Sequence, residues 1–117
     1  MIDVDRSLFV EAFWVKCREV IRPELDRAVD RLRGDGAEAE IATQEIDEGA
    51  EASPGPSLTL SADDAAISFY GDVEAQTVRA VPMAEGKLYQ SLTYTLDQLD
   101  EAEVASVVAA WEAERLQ

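Results

Sequence analysis

SLTLSADDAAISFY, residues 57–70, alternates apolar and hydroxyl-bearing side chains on either side of an Asp-Asp pair, and this alternation decides the fold. Leu58 and Leu60 interleave with Ser57, Thr59 and Ser61; Ile67 and Phe69 interleave with Ser68 and Tyr70. Successive side chains of a strand point to opposite faces, so each run reads as a strand with one apolar face and one Ser/Thr-rich face. Asp63-Asp64 supplies the turn between them.

The pattern continues in both directions. Downstream, Gly71-Asp72 reads as a second turn or a bulge, and Val78 and Ala80 open a further strand. Pro82 lacks an amide proton and belongs on an edge or at an irregularity. Ala84-Glu85-Gly86 reads as a hairpin connection. In the last run Leu88, Leu92, Tyr94 and Leu96 alternate with Tyr89, Ser91, Thr93 and Thr95. Upstream, Ala37, Ala39 and Ile41 mark a first strand, and Asp47 to Pro56 has the composition of a loop.

Helices flank the strands. From Arg6 to Arg33, Phe9, Phe13, Cys17, Val20, Ile21, Ala28 and Leu32 recur at three- and four-residue steps and form one apolar face. Pro23 should kink this helix or restart it with Pro23 in the first turn. Gly34 is the expected left-handed cap. At the other end Asp100 and Glu103 have capping-box spacing, Leu99 and Val104 are placed for a hydrophobic staple, and Val104, Val107, Val108 and Trp111 form a buried face. The expected architecture is a single α+β domain over residues 1–117. It has an N-terminal helix, an antiparallel meander of four to five strands and a C-terminal helix, with both helices on one face of the sheet.

Composition restricts the chemistry. The 117 residues include no histidine and one cysteine, Cys17, so triads of the usual kind and His- or Cys-based zinc sites cannot be assembled. No Walker A, dinucleotide-turn or EF-hand pattern is present, and no cofactor or metal is expected. The carboxylates open to acid–base or cation chemistry are Asp63-Asp64 and Asp72 with Glu74, which flank one strand and would have to meet at a sheet end. Cys17 lies between Phe13 and Ile21 on the apolar face and reads as a small inert hydrophobe.

The net charge is −15, and residues 37–117 hold three cations against seventeen anions. Such a field repels nucleic-acid backbones and anionic membranes and attracts basic proteins. A lone cysteine, an acidic start and no apolar run near ~20 residues together predict a cytoplasmic protein.

Two surfaces stand out for contacts. Leu8 and Val15 point nearly opposite the core face of the first helix, with Ala12 between and Trp14 alongside, so the helix is apolar almost all round and has surface left for another chain. The hydroxyl-rich sheet face adds Tyr70, Arg79 and Tyr89, residue types enriched at binding hot spots. The resulting expectation is a non-enzymatic protein-interaction module of acidic adaptor, chaperone-like, immunity or inhibitor type. Its partners would be a basic protein and a second copy in a homodimer. A small-molecule or metal-dependent enzyme, or a structural subunit of a larger assembly, is the alternative.

Overall fold

The first helical segment keeps its apolar face in line by widening one turn. In the computed structural model, which describes residues 2–47, 55–84, 87–88 and 91–115, α1 (Ile2–Lys16) runs into a π-turn (Cys17–Ile21) and then α2 (Arg22–Gly34). Backbone angles stay right-handed helical at Lys16, Ile21 and Arg22, so the rod runs on without a gap, and α2 restarts at Arg22 with Pro23 in its first turn, as expected. Pro23 has no N–H to give the carbonyl four residues back and its ring would collide with that carbonyl. The turn before it opens instead, and the Arg22 amide donates to the Cys17 carbonyl, five residues back.

That widening also serves the core. Phe9, Phe13, Cys17, Ile21 and Leu25 follow one another at four-residue steps and are all buried. A regular helix turns about 100° per residue, so each such step drifts by roughly 40°. The wider π-turn rotates less per residue and takes up this drift. Ala28, Val29 and Leu32 carry the buried stripe to the end of α2.

The left-handed residue beyond α2 is Gly36, with φ of 92°, and not Gly34, which is still helical. The Ala37 amide reaches the Leu32 carbonyl at 2.9 Å and the Gly36 amide reaches Arg33 at 3.0 Å, the paired bonds of a Schellman ending. Half-buried Ala37 then packs against the core, in the place where such endings carry an apolar contact.

The sheet is an antiparallel meander in the order β1 (Ala39–Asp47), β2 (Gly55–Ala62), β3 (Ala65–Asp72), β4 (Thr77–Ala84), β5 (Lys87–Leu88). A sixth short strand, β6 (Leu92–Tyr94), also pairs with β4. The last expected strand is therefore two pieces. Met83 opposes Leu88 while Ala80 opposes Leu92, one residue out of step, and Val81 and Pro82 face the break. Proline is tolerated there because the ladder is already interrupted. Gly71 lies within β3 opposite Val78, neither turn nor bulge. Most of the expected loop Asp47–Pro56, and the Ala84-Glu85-Gly86 connection beyond Ala84, lie outside the described residues.

Both helical elements pack on one face of this sheet. Leu58, Leu60, Ile67, Phe69, Val78 and Ala80 point inward, each at most 1% exposed, and meet the α1–α2 rod and α3 (Glu101–Arg115). Asp100 Oδ1 accepts the Glu103 amide at 2.9 Å, which caps α3, and Leu99 and Val104 are both fully buried. Arg31 of α2 reaches Glu112 of α3 at 2.6 Å and fastens the two helices on their outer side. An exposed pair of this kind contributes little to stability. Among the described residues no helix is long and apolar enough to cross a membrane.

Candidate protein-docking groove

The six expected contact residues that the structure describes divide between the two sides of the sheet. Tyr70 and Arg79 are cross-strand neighbours on the face away from the helices, in a row that runs Ser57, Tyr70, Arg79, Thr93. Thr59 and Ser68, the next pair, share a hydrogen bond of 2.9 Å. The face is less polar than the Ser/Thr pattern suggests, because register also places Val81 beside Ser68 and Met83 beside Ala66. Ser57 is only 1% exposed, so one end of the row is covered. Tyr89 lies outside the described residues.

Leu8, Ala12 and Val15 lie on α1, on the helix side. Phe9 and Phe13 set the orientation of that helix. A Cβ built on Gly71 would stand 3.1 Å from Phe13 Cδ1 and 3.2 Å from Phe9 Cε2, so the two rings lie directly on the bare backbone of β3. With Phe9 and Phe13 turned into the core, Leu8 and Val15 are carried to the outside, at 59% and 40% exposure. Exposed Ala12 lies between them. Trp14 belongs elsewhere: it is half-buried and stacks edge-on against Phe13, with ring centroids 5.2 Å apart.

The second wall beside this stripe is a 3₁₀ turn, Leu96–Gln98. Leu96 was expected on the last strand. Thr95 and Gln98 form a reciprocal capping box instead, with Thr95 Oγ1 accepting the Gln98 amide and Gln98 Oε1 accepting the Thr95 amide. The Thr-x-x-Gln spacing is a helix-start signature in plain view, hidden by the alternation it interrupts. Between α1 and this turn lies an open groove of about 550 Å³, floored by Leu8, Ala12, Val15, Val20 and Leu96. Glu11, Glu19 and Asp97 stand on its rim, with Lys16 as the single cation. Past Leu8 it continues into a second depression of about 410 Å³ reaching Gln76 in the β3–β4 turn.

The carboxylates weighed for chemistry are held in local structure. Asp63 takes a left-handed φ of 54°, which Asp tolerates in a turn, and its Oδ1 accepts the Glu38 amide while its own amide donates to the Glu38 carbonyl. Asp72 Oδ1 accepts the Ala75 amide and shapes the next turn. The two acidic pairs stand at opposite ends of the eight-residue β3, roughly 25 Å apart, so they do not meet. Among the described residues no group of three or more His, Cys, Asp or Glu side chains could hold a metal ion. A third depression, about 520 Å³, lies at the α2–β1–β2 corner. Two of its wall groups are already engaged: Arg33 donates twice to the Ala39 carbonyl, and Asp63 Oδ1 accepts the Glu38 amide.

Burial pushes the Cys17 thiol up to about 12, and burial also lifts the Tyr94 phenol, with the Glu103 carboxylate adding to the effect. A thiol so raised stays protonated and unreactive at neutral pH. Cys17 in the native protein is expected to resist a disulfide reagent at pH 8 and to react fully once the chain is unfolded in guanidinium. The folded pKa exceeds the ordinary value of 9.0, so the associated stability is complete below that pH and is lost as pH rises from about 9 towards about 12. Urea midpoints at pH 8 and pH 10.5 should differ less in a Cys17→Ala variant than in the parent; an equal difference would assign the pH dependence to other groups.

No known protein family, curated protein or solved structure matches the chain.

Proposed function

We propose that the protein is a non-enzymatic interaction module that docks another polypeptide along α1 of its single domain, working in the cytoplasm. One observation carries this reading: Leu8 and Val15 hold 59% and 40% of their surface in solvent on the outer side of a helix whose inner side is core, and they line a groove with a second wall. Exposed leucines are common singly, but a contiguous stripe along a groove is a different matter. A folding requirement would not place a leucine and a valine there, since Phe9, Phe13 and Cys17 already complete the inner face. The acidic field goes with a protein partner and against direct binding of nucleic acid or an anionic membrane.

The test is a paired Leu8→Asp and Val15→Asp replacement. Neither side chain is in the core, so the thermal midpoint is expected to stay within about 2 °C of the parent. Capture of the partner from native lysate, and any dimer mass seen by light scattering, should be lost together with the stripe. Complexes of unchanged composition and mass in the folded double variant would sink the proposal.

A further inference from the structure

The groove pairs an apolar floor with a rim of one dominant sign, and that pairing specifies an occupant. We infer that it receives an amphipathic helix from a basic protein, with apolar side chains on one face and Lys or Arg beside them. The inference rests on the docking role proposed for α1.

Three features select this occupant. Leu8, Ala12 and Val15 follow one another at four and three residues, so they form a single helix ridge, large at both ends and small in the middle. A second helix can approach closely over Ala12 and place its own large side chains between Leu8 and Val15, as ridges pack into grooves. The extension of the groove towards Gln76 provides length beyond α1 itself.

The rim then fixes the sign of the partner. Glu11 on α1 and Glu19 on the π-turn line the groove beside its floor, with Asp97 on the facing turn; Lys16 is the one cation of the lining, and exposed Arg18 reaches Glu19 at 4.0 Å. Arginine and lysine stems can lie on the apolar floor while their heads meet these carboxylates.

A second copy of the chain meets the opposite situation. A two-fold contact through this groove would bring Glu11, Glu19 and Asp97 of one protomer up to the same residues of the other, between chains of net charge −15. The apolar floor is also short. Stable dimers bury on the order of 800 Å² on each partner. Three exposed side chains supply only a fraction of that, and electrostatic attraction, which a second copy lacks, has to supply the rest.

The probe is a fluorescein-labelled peptide of about five helical turns with Leu at heptad a and d positions and Lys or Arg flanking them. It is compared with the same helix carrying Glu in place of Lys and Arg, and with a scrambled peptide of identical composition but no apolar face. Anisotropy is expected to show binding of the basic amphipathic peptide alone. Binding should weaken at least about tenfold between roughly 50 and 500 mM salt. It should weaken by a similar factor in the Leu8→Asp and Val15→Asp double variant.

Charge reversal separates groove from field. Glu11→Lys, Glu19→Lys and Asp97→Lys together leave the protein at −9 and should abolish the preference for the basic peptide. Asp30→Lys, Asp35→Lys and Glu40→Lys, placed on α2, its cap and β1, change the net charge equally and should leave binding nearly intact. Equal binding of the scrambled basic peptide, or equal loss in the two reversed variants, would overturn the inference in favour of bulk attraction. An acidic or non-helical partner captured through Leu8 and Val15 would overturn it while the docking role stood. Capture indifferent to those residues would overturn both. A dimer dissociated by Leu8→Asp would show that a second copy is the occupant.

Discussion

Trp111→Ala should lower the stability of the protein by about 4 kcal/mol, the largest single-residue effect expected in α3. Trp111 is 1% exposed and belongs to the core between α3 and the sheet. Its indole Nε1 donates to the Met83 carbonyl of β4 at 3.1 Å, so the side chain both fills the core and satisfies a backbone acceptor. Truncation removes a large apolar area and leaves a cavity that rigid neighbours close only in part. It also strands the carbonyl, at a further cost of about 1 kcal/mol or more unless water enters. Trp111→Phe separates the two contributions. It keeps most of the packing and loses the hydrogen bond, so it should cost about 1–2 kcal/mol. Urea denaturation followed by far-UV circular dichroism measures both without relying on tryptophan emission. The expected order is parent, Trp111→Phe, Trp111→Ala, with the alanine variant melting roughly 15 °C or more below the parent. Equal losses for the two variants would mean that the hydrogen bond, and not the packing, carries the contact.

Gly55→Ala should be nearly as damaging, for the opposite reason. A Cβ at Gly55 would stand 2.3 Å from the Gly71 carbonyl oxygen, a backbone atom of β3. Nothing flexible can move aside, so β2 or β3 must shift. Overpacking of this kind costs about 3 kcal/mol, reduced by a few tenths because alanine restricts the unfolded chain more than glycine does. The consequence reaches α1. Gly71 supports Phe9 and Phe13, whose seating turns Leu8 and Val15 outward. A displaced Gly71 should therefore loosen α1 as well as the sheet. Amide exchange in α1 is expected to quicken in Gly55→Ala beyond the change in global stability. Exchange that rises uniformly over all elements would show that α1 is not supported through this glycine pair.

Much of this architecture was legible in residue patterns. The period-two runs around Asp63-Asp64 identify β2 and β3 with the correct inward set, because that face must be buried and a one-residue slip would expose all of it. The three- and four-residue spacing from Phe9 to Leu32 marks the rod, and Asp100 with Glu103 marks the start of α3. The misreadings share a cause. The break between β5 and β6, the 3₁₀ turn at Leu96 and the left-handed residue at Gly36 each depend on where hydrogen bonds close, which apolar periodicity does not report. Leu96 alternates perfectly with Thr95 and still leaves the sheet, since the Thr95/Gln98 box satisfies its own amides locally.

The candidate site was half visible. Leu8, Ala12 and Val15 were identifiable because an apolar residue opposite a complete core face has no folding role to explain it. The facing wall was not, since Asp97 is eighty-two positions beyond Val15 in the chain and ordinary in composition.

The sequence by itself determined the class of the fold, the inward faces of β2, β3, the rod and α3, the acidic field and the lack of imidazole chemistry, because these follow from side-chain identity and local period. The tertiary structure alone decided that the acidic pairs at the two ends of β3 stay apart, that Tyr70 and Arg79 lie across the sheet from the α1 stripe, and that the stripe acquires a second wall. These are relations between residues distant in the chain, and they are set by how the whole core closes.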